Sequence, residues 1–169
     1  MNITLIGMPG SGKSHIGKKL AERLNYNFID TDIILENEYG IPIKSIIDKL
    51  GENVFLKKQE EYTISCTNNI SDTVISTGGS IIYTDEVMYH LKKNSLIIYL
   101  IMPLEVIKER MVDSPRSIVD SKDKDLEKLY EERTFLYNKW SSKIVDANQD
   151  SEMIVDNILK IIGNKSWIK

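Results

Sequence analysis

Short apolar runs alternate with helical stripes from one end of the chain to the other. The apolar runs predict strands at Ile3–Ile6, Asn27–Ile29, Thr73–Ser76, Leu96–Ile101 and Ile144–Asp146. Unbroken runs of this kind are typical of strands buried on both faces. Apolar residues spaced by three or four positions predict helices over Lys13–Leu24, over Met102–Met111 and from about Ser151. The alternation predicts an α/β fold in which helices flank a parallel sheet.

Two segments do not fit this alternation. Residues 31–70 are predicted to form a long helical excursion between the second and third strands. Residues 112–124 are polar, contain a proline and lack helical periodicity. The second segment suits a mobile lid over a bound nucleotide, and a plain surface loop is the alternative. No repeat or linker divides the sequence, so we expect residues 1–169 to form one domain.

Composition and charge exclude several classes of function. The chain has 169 residues and a net charge of −3, without the basic surface that nucleic-acid binding needs. Its longest apolar run, Leu96–Leu104, is too short to cross a bilayer. The one cysteine, Cys66, cannot form an internal disulfide. We expect a cytoplasmic monomer that acts on a small molecule and binds neither nucleic acid nor membrane.

The strongest chemical signal is a glycine-rich loop between the first strand and the first helix. It reads Gly7-Met8-Pro9-Gly10-Ser11-Gly12-Lys13-Ser14 and satisfies the G-x-x-x-x-G-K-[ST] pattern. Backbone N–H groups in such a loop cradle phosphate oxygens at a helix N-terminus. Lys13 is expected to reach the β- and γ-phosphates of ATP, and the Ser14 hydroxyl to bind Mg²⁺. His15 follows on the helix surface as a further candidate nucleotide contact.

Polar residues also follow the second and third predicted strands. Asp30-Thr31-Asp32 places two carboxylates at the sheet edge where the phosphate loop lies. One carboxylate can support Mg²⁺ while the other accepts a hydrogen bond or a proton from an attacking hydroxyl. Taken alone, the pair is more typical of a helix cap. Ser76–Ser80 contains two glycines that permit close approach of a ligand, although a tight turn is the simpler explanation.

Together these motifs resemble the shikimate kinase family. The resemblance includes a Gly-Glu-x-x-Phe segment at Gly51–Phe55, Thr-Gly-Gly at residues 77–79, a lid arginine at Arg116 and Arg-x-x-Leu-Tyr at Arg133–Tyr137. It implies a P-loop NTPase fold with three αβα layers and a five-stranded parallel sheet in the order 2-3-1-4-5. It also implies ATP and Mg²⁺, with phosphoryl transfer to a hydroxyl of shikimate, giving shikimate 3-phosphate.

The resemblance assigns further roles residue by residue. It implies that Asp32 holds substrate hydroxyls and that Asp30 assists Mg²⁺ or the base step. It implies that Arg110 and Arg116 close on the nucleotide and that Arg133 pairs with the substrate carboxylate. The remaining residues that it places at the substrate are Leu56, Gly78, Gly79 and Ser80. The candidate catalytic residues are Lys13, Asp30, Asp32 and Arg116.

The sequence departs from the family pattern where the substrate pocket is expected. Leu56 stands where the family usually has an arginine that holds the substrate carboxylate, and Gln59 replaces a usual glutamate. Ser80 replaces a third glycine, and Ser117–Val119 replaces the usual lid residues after Arg116. A charge-assisted hydrogen bond contributes roughly 1.5–3 kcal/mol, so losing one arginine weakens binding about 10–150-fold. Lys57 or Lys58 would replace it only in part, because lysine lacks the planar fork of arginine.

Three functional hypotheses follow from these departures. The first is an ATP-dependent kinase of shikimate. The second is a sister kinase that acts on another polyol or hydroxylated metabolite, as Leu56 and Ser80 suggest. The third is a nucleotide-binding regulator or pseudokinase. The residues that argue against it are the intact Lys13, Ser14, Asp30, Asp32 and Arg116.

Overall fold

The computed structural model describes residues 1–113 and 125–163, and its centre is a sheet of five parallel strands. The strands are β1 (Asn2–Ile6), β2 (Asn27–Asp30), β3 (Thr73–Ser76), β4 (Ser95–Ile101) and β5 (Lys143–Asp146). Their order in the sheet is β2-β3-β1-β4-β5. The predicted α/β class, the parallel sheet and the 2-3-1-4-5 order are therefore confirmed.

Helices flank this sheet. They are α1 (Lys13–Leu24), α2 (Thr31–Tyr39), α3 (Ile43–Leu50), α4 (Glu52–Thr67), α5 (Asp85–Asn94), α6 (Leu104–Asp113), α7 (Leu126–Trp140) and α8 (Ser151–Gly163). A short 3₁₀ helix spans Ile81–Tyr83 between β3 and α5. No helix within the described ranges has the length and apolar character needed to cross a membrane.

Two hydrophobic clusters hold the elements together. The larger one surrounds β1, β3 and β4, whose central side chains are fully buried. The smaller one joins α2, α3 and α4 through Leu35, Ile46, Ile47 and Phe55. The segment predicted as a helical excursion thus contains three helices with an apolar cluster of their own, beside the sheet edge formed by β2. The single-domain organisation of residues 1–169 stays a prediction.

Two local predictions differ from the structure. The helix predicted over Met102–Met111 begins at Leu104 and ends at Asp113. Pro103 therefore precedes the helix instead of lying in its first turn, and its carbonyl accepts the N–H of Ile107 at 3.1 Å. The end of α6 takes the first two residues of the predicted lid. Residues 114–124, including Arg116 and Ser117–Val119, lie outside the described residues.

Candidate active site

The phosphate loop leaves β1 along a path that glycine alone accommodates. Gly10 and Gly12 have φ angles of 85° and 91°, in the left-handed region that residues with a side chain rarely adopt. A Cβ atom at Gly7 would lie 2.7 Å from the backbone oxygen of Leu100 at the end of β4. The loop is thereby pressed against the carboxyl edge of the sheet and leads directly into the N-terminus of α1.

Lys13 lies beneath this loop. Its side chain is buried, and Nζ donates hydrogen bonds to the backbone oxygens of Gly7 at 2.8 Å and Met8 at 2.9 Å. The carbonyls keep the ammonium group hydrogen-bonded while it faces the cavity in front of the loop. The ammonium group is therefore held as a fixed positive charge where phosphate groups are expected.

A hydrogen bond joins the phosphate loop to the first of the two predicted carboxylates. Ser14 Oγ donates to Oδ2 of Asp30 at 2.5 Å. The other oxygen, Oδ1, accepts the backbone N–H groups of Asp32 at 3.1 Å and Ile33 at 3.4 Å. Asp30 is thus the N-cap of α2, as the alternative interpretation had it, and its carboxylate also contacts the predicted Mg²⁺ ligand Ser14.

Asp32 presents a carboxylate oxygen with no partner. Its Oδ1 is inaccessible to bulk solvent and has no hydrogen bond from the described residues. Burial, with the negative charges of Asp30 and Glu36, raises the pKa of Asp32 to about 6, while Lys13 and the Gln59 amide oppose the shift. A buried and unpaired acceptor is costly unless a ligand satisfies it. The geometry therefore suits a hydroxyl group bound at this oxygen.

Gly78 lies directly beside Asp32, together with Gln59 from α4. A Cβ atom at Gly78 would meet Nε2 of Gln59 and would lie 2.5 Å from Oδ1 of Asp32. Ser80 Oγ donates to Oε1 of the buried Gln59 at 3.0 Å, which turns the amide nitrogen toward Gly78 and Asp32. Two departures from the family pattern, Gln59 and Ser80, are therefore hydrogen-bonded to each other.

This arrangement predicts that Gln59→Glu destabilises the protein. The new carboxylate would be buried beside Asp32, and its negative charge would be repelled. We expect the free energy of unfolding at pH 7 to fall by about 1–3 kcal/mol. Protonation of the buried group should restore part of the loss as the pH falls toward 5, which chemical denaturation at both pH values would measure.

A matched control is available on the surface. Gln149 is exposed, and its Nε2 donates to Oδ2 of Asp146 at 3.4 Å. Gln149→Glu places the same charge beside an aspartate in water, where the effect is small. Equal stability of the Gln59→Glu and Gln149→Glu variants would contradict the described environment of Gln59.

A buried arginine and a buried tyrosine on α7 complete the site. Arg133 is only 1% exposed, and its Nε donates to the hydroxyl of Tyr83 at 3.2 Å. Its guanidinium also lies 5.2 Å from the Tyr83 ring centroid. One turn further on, the hydroxyl of Tyr137 donates to the backbone oxygen of Gly79 at 2.6 Å, and burial raises the pKa of this tyrosine. These contacts hold α7 against the glycines that follow β3.

One cavity of about 700 Å³ brings most of the predicted site residues together. Those that line it are Pro9, Gly10, Gly12, Lys13, Ser14, His15, Asp30, Asp32, Gly78, Gly79, Ser80, Arg110 and Arg133. Arg110 lies beside the phosphate loop, where its Nη1 donates to the backbone oxygen of Gly10 at 2.8 Å. The nucleotide end and the acceptor end of the predicted site therefore open into one space.

Among the predicted residues that the structure describes, four do not line this cavity. Gly7, Met8 and Ser11 are buried behind the face of the phosphate loop. Leu56 packs against the small apolar cluster of α2, α3 and α4. Leu56 was predicted to contact the substrate, and the structure does not bring it to the cavity wall.

The neighbouring lysines on α4 do not reach the cavity wall either. Lys58 Nζ pairs with Oε2 of Glu61 at 2.7 Å, and Lys57 is exposed. Neither residue is part of the described lining. We expected that one of these lysines would replace the missing arginine in part, and their positions do not support that expectation.

The cavity also contains residues that the sequence analysis did not single out. These are Ile33, Glu36, Pro42, Ile43, Lys44, Ile47 and Met111. Phe55, Gln59 and Thr77 also line the cavity, and the sequence analysis had named each of them in a motif or as a departure from the family pattern. The residues of α3 carried no signal in the sequence, because nothing in their spacing predicts which site they face.

The described ranges contain no cluster of three or more His, Cys, Asp or Glu side chains arranged to hold a metal ion. The Ser14 hydroxyl and the Asp30 carboxylate are nevertheless hard oxygen ligands in contact with each other. Mg²⁺ typically takes one or two protein oxygens and fills its octahedron with phosphate oxygens and water. These two residues therefore fit Mg²⁺ bound together with a nucleotide.

Comparisons with known proteins agree with this geometry. The family model described as shikimate kinase matches residues 9–163. The shikimate kinase of Clostridium botulinum (strain 657 / Type Ba4) is 38% identical over 157 residues, which covers 90% of this chain and 92% of that protein.

Two solved structures of shikimate kinases are also similar to the chain. The enzyme from Acinetobacter baumannii in complex with shikimate superposes with a TM-score of 0.86 at 29% identity, covering 98% of this chain and 94% of that one. The enzyme from Aquifex aeolicus gives a TM-score of 0.86 at 31% identity and covers 99% of both chains. The similarity therefore extends over the phosphate loop, the three-helix excursion and the C-terminal helix alike.

Proposed function

The chain belongs to the shikimate kinase family, and from that premise we propose that it transfers the γ-phosphoryl group of ATP to a hydroxyl of shikimate. The shared cavity is the observation that carries this proposal. The phosphate loop forms one end of it, and Asp32, Gly78 and Arg133 lie at the other. A phosphoryl donor and a small hydroxylated acid bound there would meet within a single cavity.

The nucleotide end supplies fixed positive charge. Lys13 is held by two backbone carbonyls, so its ammonium group stabilises the charge that develops on the γ-phosphoryl oxygens without moving into place. The backbone N–H groups of the loop and the start of α1 add to this charge. Arg110 and Arg116 are proposed to close on the nucleotide, with Arg110 already beside Gly10.

Ser14 and Asp30 are proposed to hold Mg²⁺. The ion, when bound, neutralises charge on the β- and γ-phosphate oxygens. Asp30 also caps α2, and this second role fixes the direction of its carboxylate. The two residues would hold the ion beside the phosphate loop, where it would neutralise phosphate charge together with Lys13.

The acceptor end orients the attacking hydroxyl. Asp32 Oδ1 is proposed to accept a hydrogen bond from it, because this oxygen is buried and unpaired in the described chain. The acceptor oxygen forms a bond to the γ-phosphorus as the bond to the β–γ bridging oxygen breaks, and the carboxylate takes the hydroxyl proton. Arg133 would pair with the substrate carboxylate from the opposite wall.

The direct test is a coupled assay of ADP release. Shikimate is compared with other small hydroxy acids and sugars, at saturating ATP and Mg²⁺. We expect turnover with shikimate to exceed turnover with every other acceptor. A different preferred acceptor would favour the sister kinase, and no turnover on any alcohol would favour the regulator or pseudokinase.

The position of Leu56 favours the second hypothesis, a sister kinase that acts on another hydroxylated metabolite. The side chain that would replace the usual arginine packs in the apolar cluster of the excursion and is not part of the described cavity lining. An acceptor without a carboxylate would need no cation at that point. The location of the protein in the cytoplasm and its monomeric state stay predictions from the sequence.

Leu56→Arg tests whether a cation at this position improves shikimate binding. If shikimate is the acceptor and the longer side chain reaches its carboxylate, the KM for shikimate should fall roughly 10-fold or more. Steady-state kinetics and thermal melts of the same variant measure this outcome. Leu56→Met serves as the control for altered packing without charge.

Three other outcomes of the Leu56→Arg experiment have distinct causes. A large fall in melting temperature would show that the apolar packing of Leu56 dominates, since a guanidinium would replace a half-buried side chain packed against the apolar cluster of α2, α3 and α4. A stable variant with lower turnover on its preferred acceptor would indicate an acceptor without a carboxylate. A stable variant with unchanged shikimate kinetics would indicate that the carboxylate of bound shikimate lies out of reach of position 56 on α4.

A further inference from the structure

The charges of the cavity wall raise a question about an acidic acceptor. The carboxylates that line it are Asp30, Asp32 and Glu36, and the lysines and arginines among the described lining residues are Lys13, Lys44, Arg110 and Arg133. A bound carboxylate needs a cation to offset both these acidic groups and its own loss of water. The question is which of the four cations are available at the acceptor end.

Two of the four are committed to the nucleotide end. Lys13 Nζ donates to the carbonyls of Gly7 and Met8, and Arg110 donates to the carbonyl of Gly10. Both therefore lie at the phosphate loop. Arg133 and Lys44 remain, and they come from α7 and α3.

Lys44 is placed on the acceptor side by its neighbours. Ile43, the first residue of α3, donates its backbone N–H to Oε1 of Glu36 at 2.9 Å. Glu36 follows Asp32 by four residues on α2, so the two carboxylates share one helix face. Ile47, three residues after Lys44 on the same face of α3, lines the same cavity.

The Lys44 side chain is also available for a ligand. It is exposed at the cavity wall and forms no ion pair with any residue that the structure describes. By contrast, α4 contributes no lysine or arginine to the described lining, because Leu56 packs in the apolar cluster and Lys58 is paired with Glu61. The cation that α4 lacks is thus present one helix earlier.

We infer that Lys44 is a specificity-determining residue that binds the carboxylate of the acceptor together with Arg133. Lys44 takes over from α3 the role that the arginine missing at Leu56 would have had on α4. A lysine is a mobile point charge on a flexible stem, so it supplies attraction without the two-point geometry of arginine. This inference rests on the proposed function, since it requires an acidic acceptor.

The test compares two acceptors and two lysines. Lys44→Ala and Lys44→Gln are assayed with shikimate and with its carboxamide, which keeps the ring hydroxyls and lacks the negative charge. We expect the KM for shikimate to rise about 5- to 10-fold, with kcat and the KM for ATP changed less than about twofold. The KM for the carboxamide should be the same in the variants and the parent protein. Lys44→Arg should retain tight shikimate binding.

Lys49→Ala is the matched control. Lys49 lies on the same helix, is exposed and is not part of the described cavity lining, so its removal changes the charge of α3 alone. An equal effect of Lys44→Ala on both acceptors, an equal effect of Lys49→Ala, or a rise confined to the KM for ATP would each overturn the inference. If the parent protein fails to phosphorylate shikimate, the proposed function itself has failed, which the same assay shows before any variant is made.

Discussion

Lys13→Ala is expected to lower kcat by roughly 10³-fold or more while the protein stays folded. The ammonium group is buried under the phosphate loop and is held by the carbonyls of Gly7 and Met8. A charge fixed in this way acts mainly on the phosphoryl oxygens in the transition state, so its loss falls on turnover more than on nucleotide binding. Saturation kinetics with ATP separates the two effects, and circular dichroism checks the fold.

Lys18→Ala provides the control for this variant. Lys18 is on the same helix, exposed and outside the described cavity lining, so its removal should leave kcat within about twofold. Near-normal turnover of Lys13→Ala would mean that the loop does not act on a transferring phosphoryl group. The role assigned to Lys13 in the phosphate loop would then be wrong, whichever acceptor the enzyme uses.

Gly78→Ala is expected to have the second largest effect. The added methyl group would meet Nε2 of Gln59 and lie 2.5 Å from Oδ1 of Asp32, far inside van der Waals contact. Gln59 is held by Ser80 and cannot retreat without breaking that hydrogen bond. The displaced carboxylate would no longer meet the acceptor hydroxyl. We expect kcat/KM for shikimate to fall by about 10²-fold or more, because small displacements of positioning groups are costly.

Steady-state kinetics should be measured with shikimate and ATP varied in turn. The KM for ATP should change little, since Gly78 lies on the acceptor side. Gly163→Ala serves as the control, because a Cβ atom there has no neighbour within 4 Å. Similar losses in the two variants would show that glycine substitution as such, and not the crowding of Asp32, explains the result.

Much of this fold could be predicted because its signals are local. The apolar runs of β1 and β4 lie in the interior of the sheet. Both faces of these strands are buried, so their sequences are mostly apolar and easy to recognise. The phosphate loop follows from backbone requirements at Gly10 and Gly12 that no other residue meets easily. The start of α6 was misplaced because Pro103 fits equally well before a helix and in its first turn.

The candidate site was harder to predict where it depends on contacts distant in sequence. Asp30 was predicted both as a helix cap and as a metal ligand. In the structure its Oδ1 accepts a backbone N–H of α2, while its Oδ2 accepts the hydroxyl of Ser14 in the phosphate loop. The bond between Gln59 and Ser80 joins two departures that look independent in the sequence. Lys44 looked like any surface lysine, because its position at the cavity wall depends on how α3 packs on α2.

The pairing of the sheet also has a consequence for the order in which the molecule is made. Ile3 in β1 pairs with Val74 on one side and Leu96 on the other. The first strand to be synthesised is therefore the central one, and it cannot pair until β3 and β4 have been made. Gly7 then closes against Leu100, at the far end of β4. Contacts so distant in sequence are slow to form. A nascent chain therefore carries its nucleotide-binding segment long before it can bind a nucleotide, and binding competence should appear only after β4 has left the ribosome.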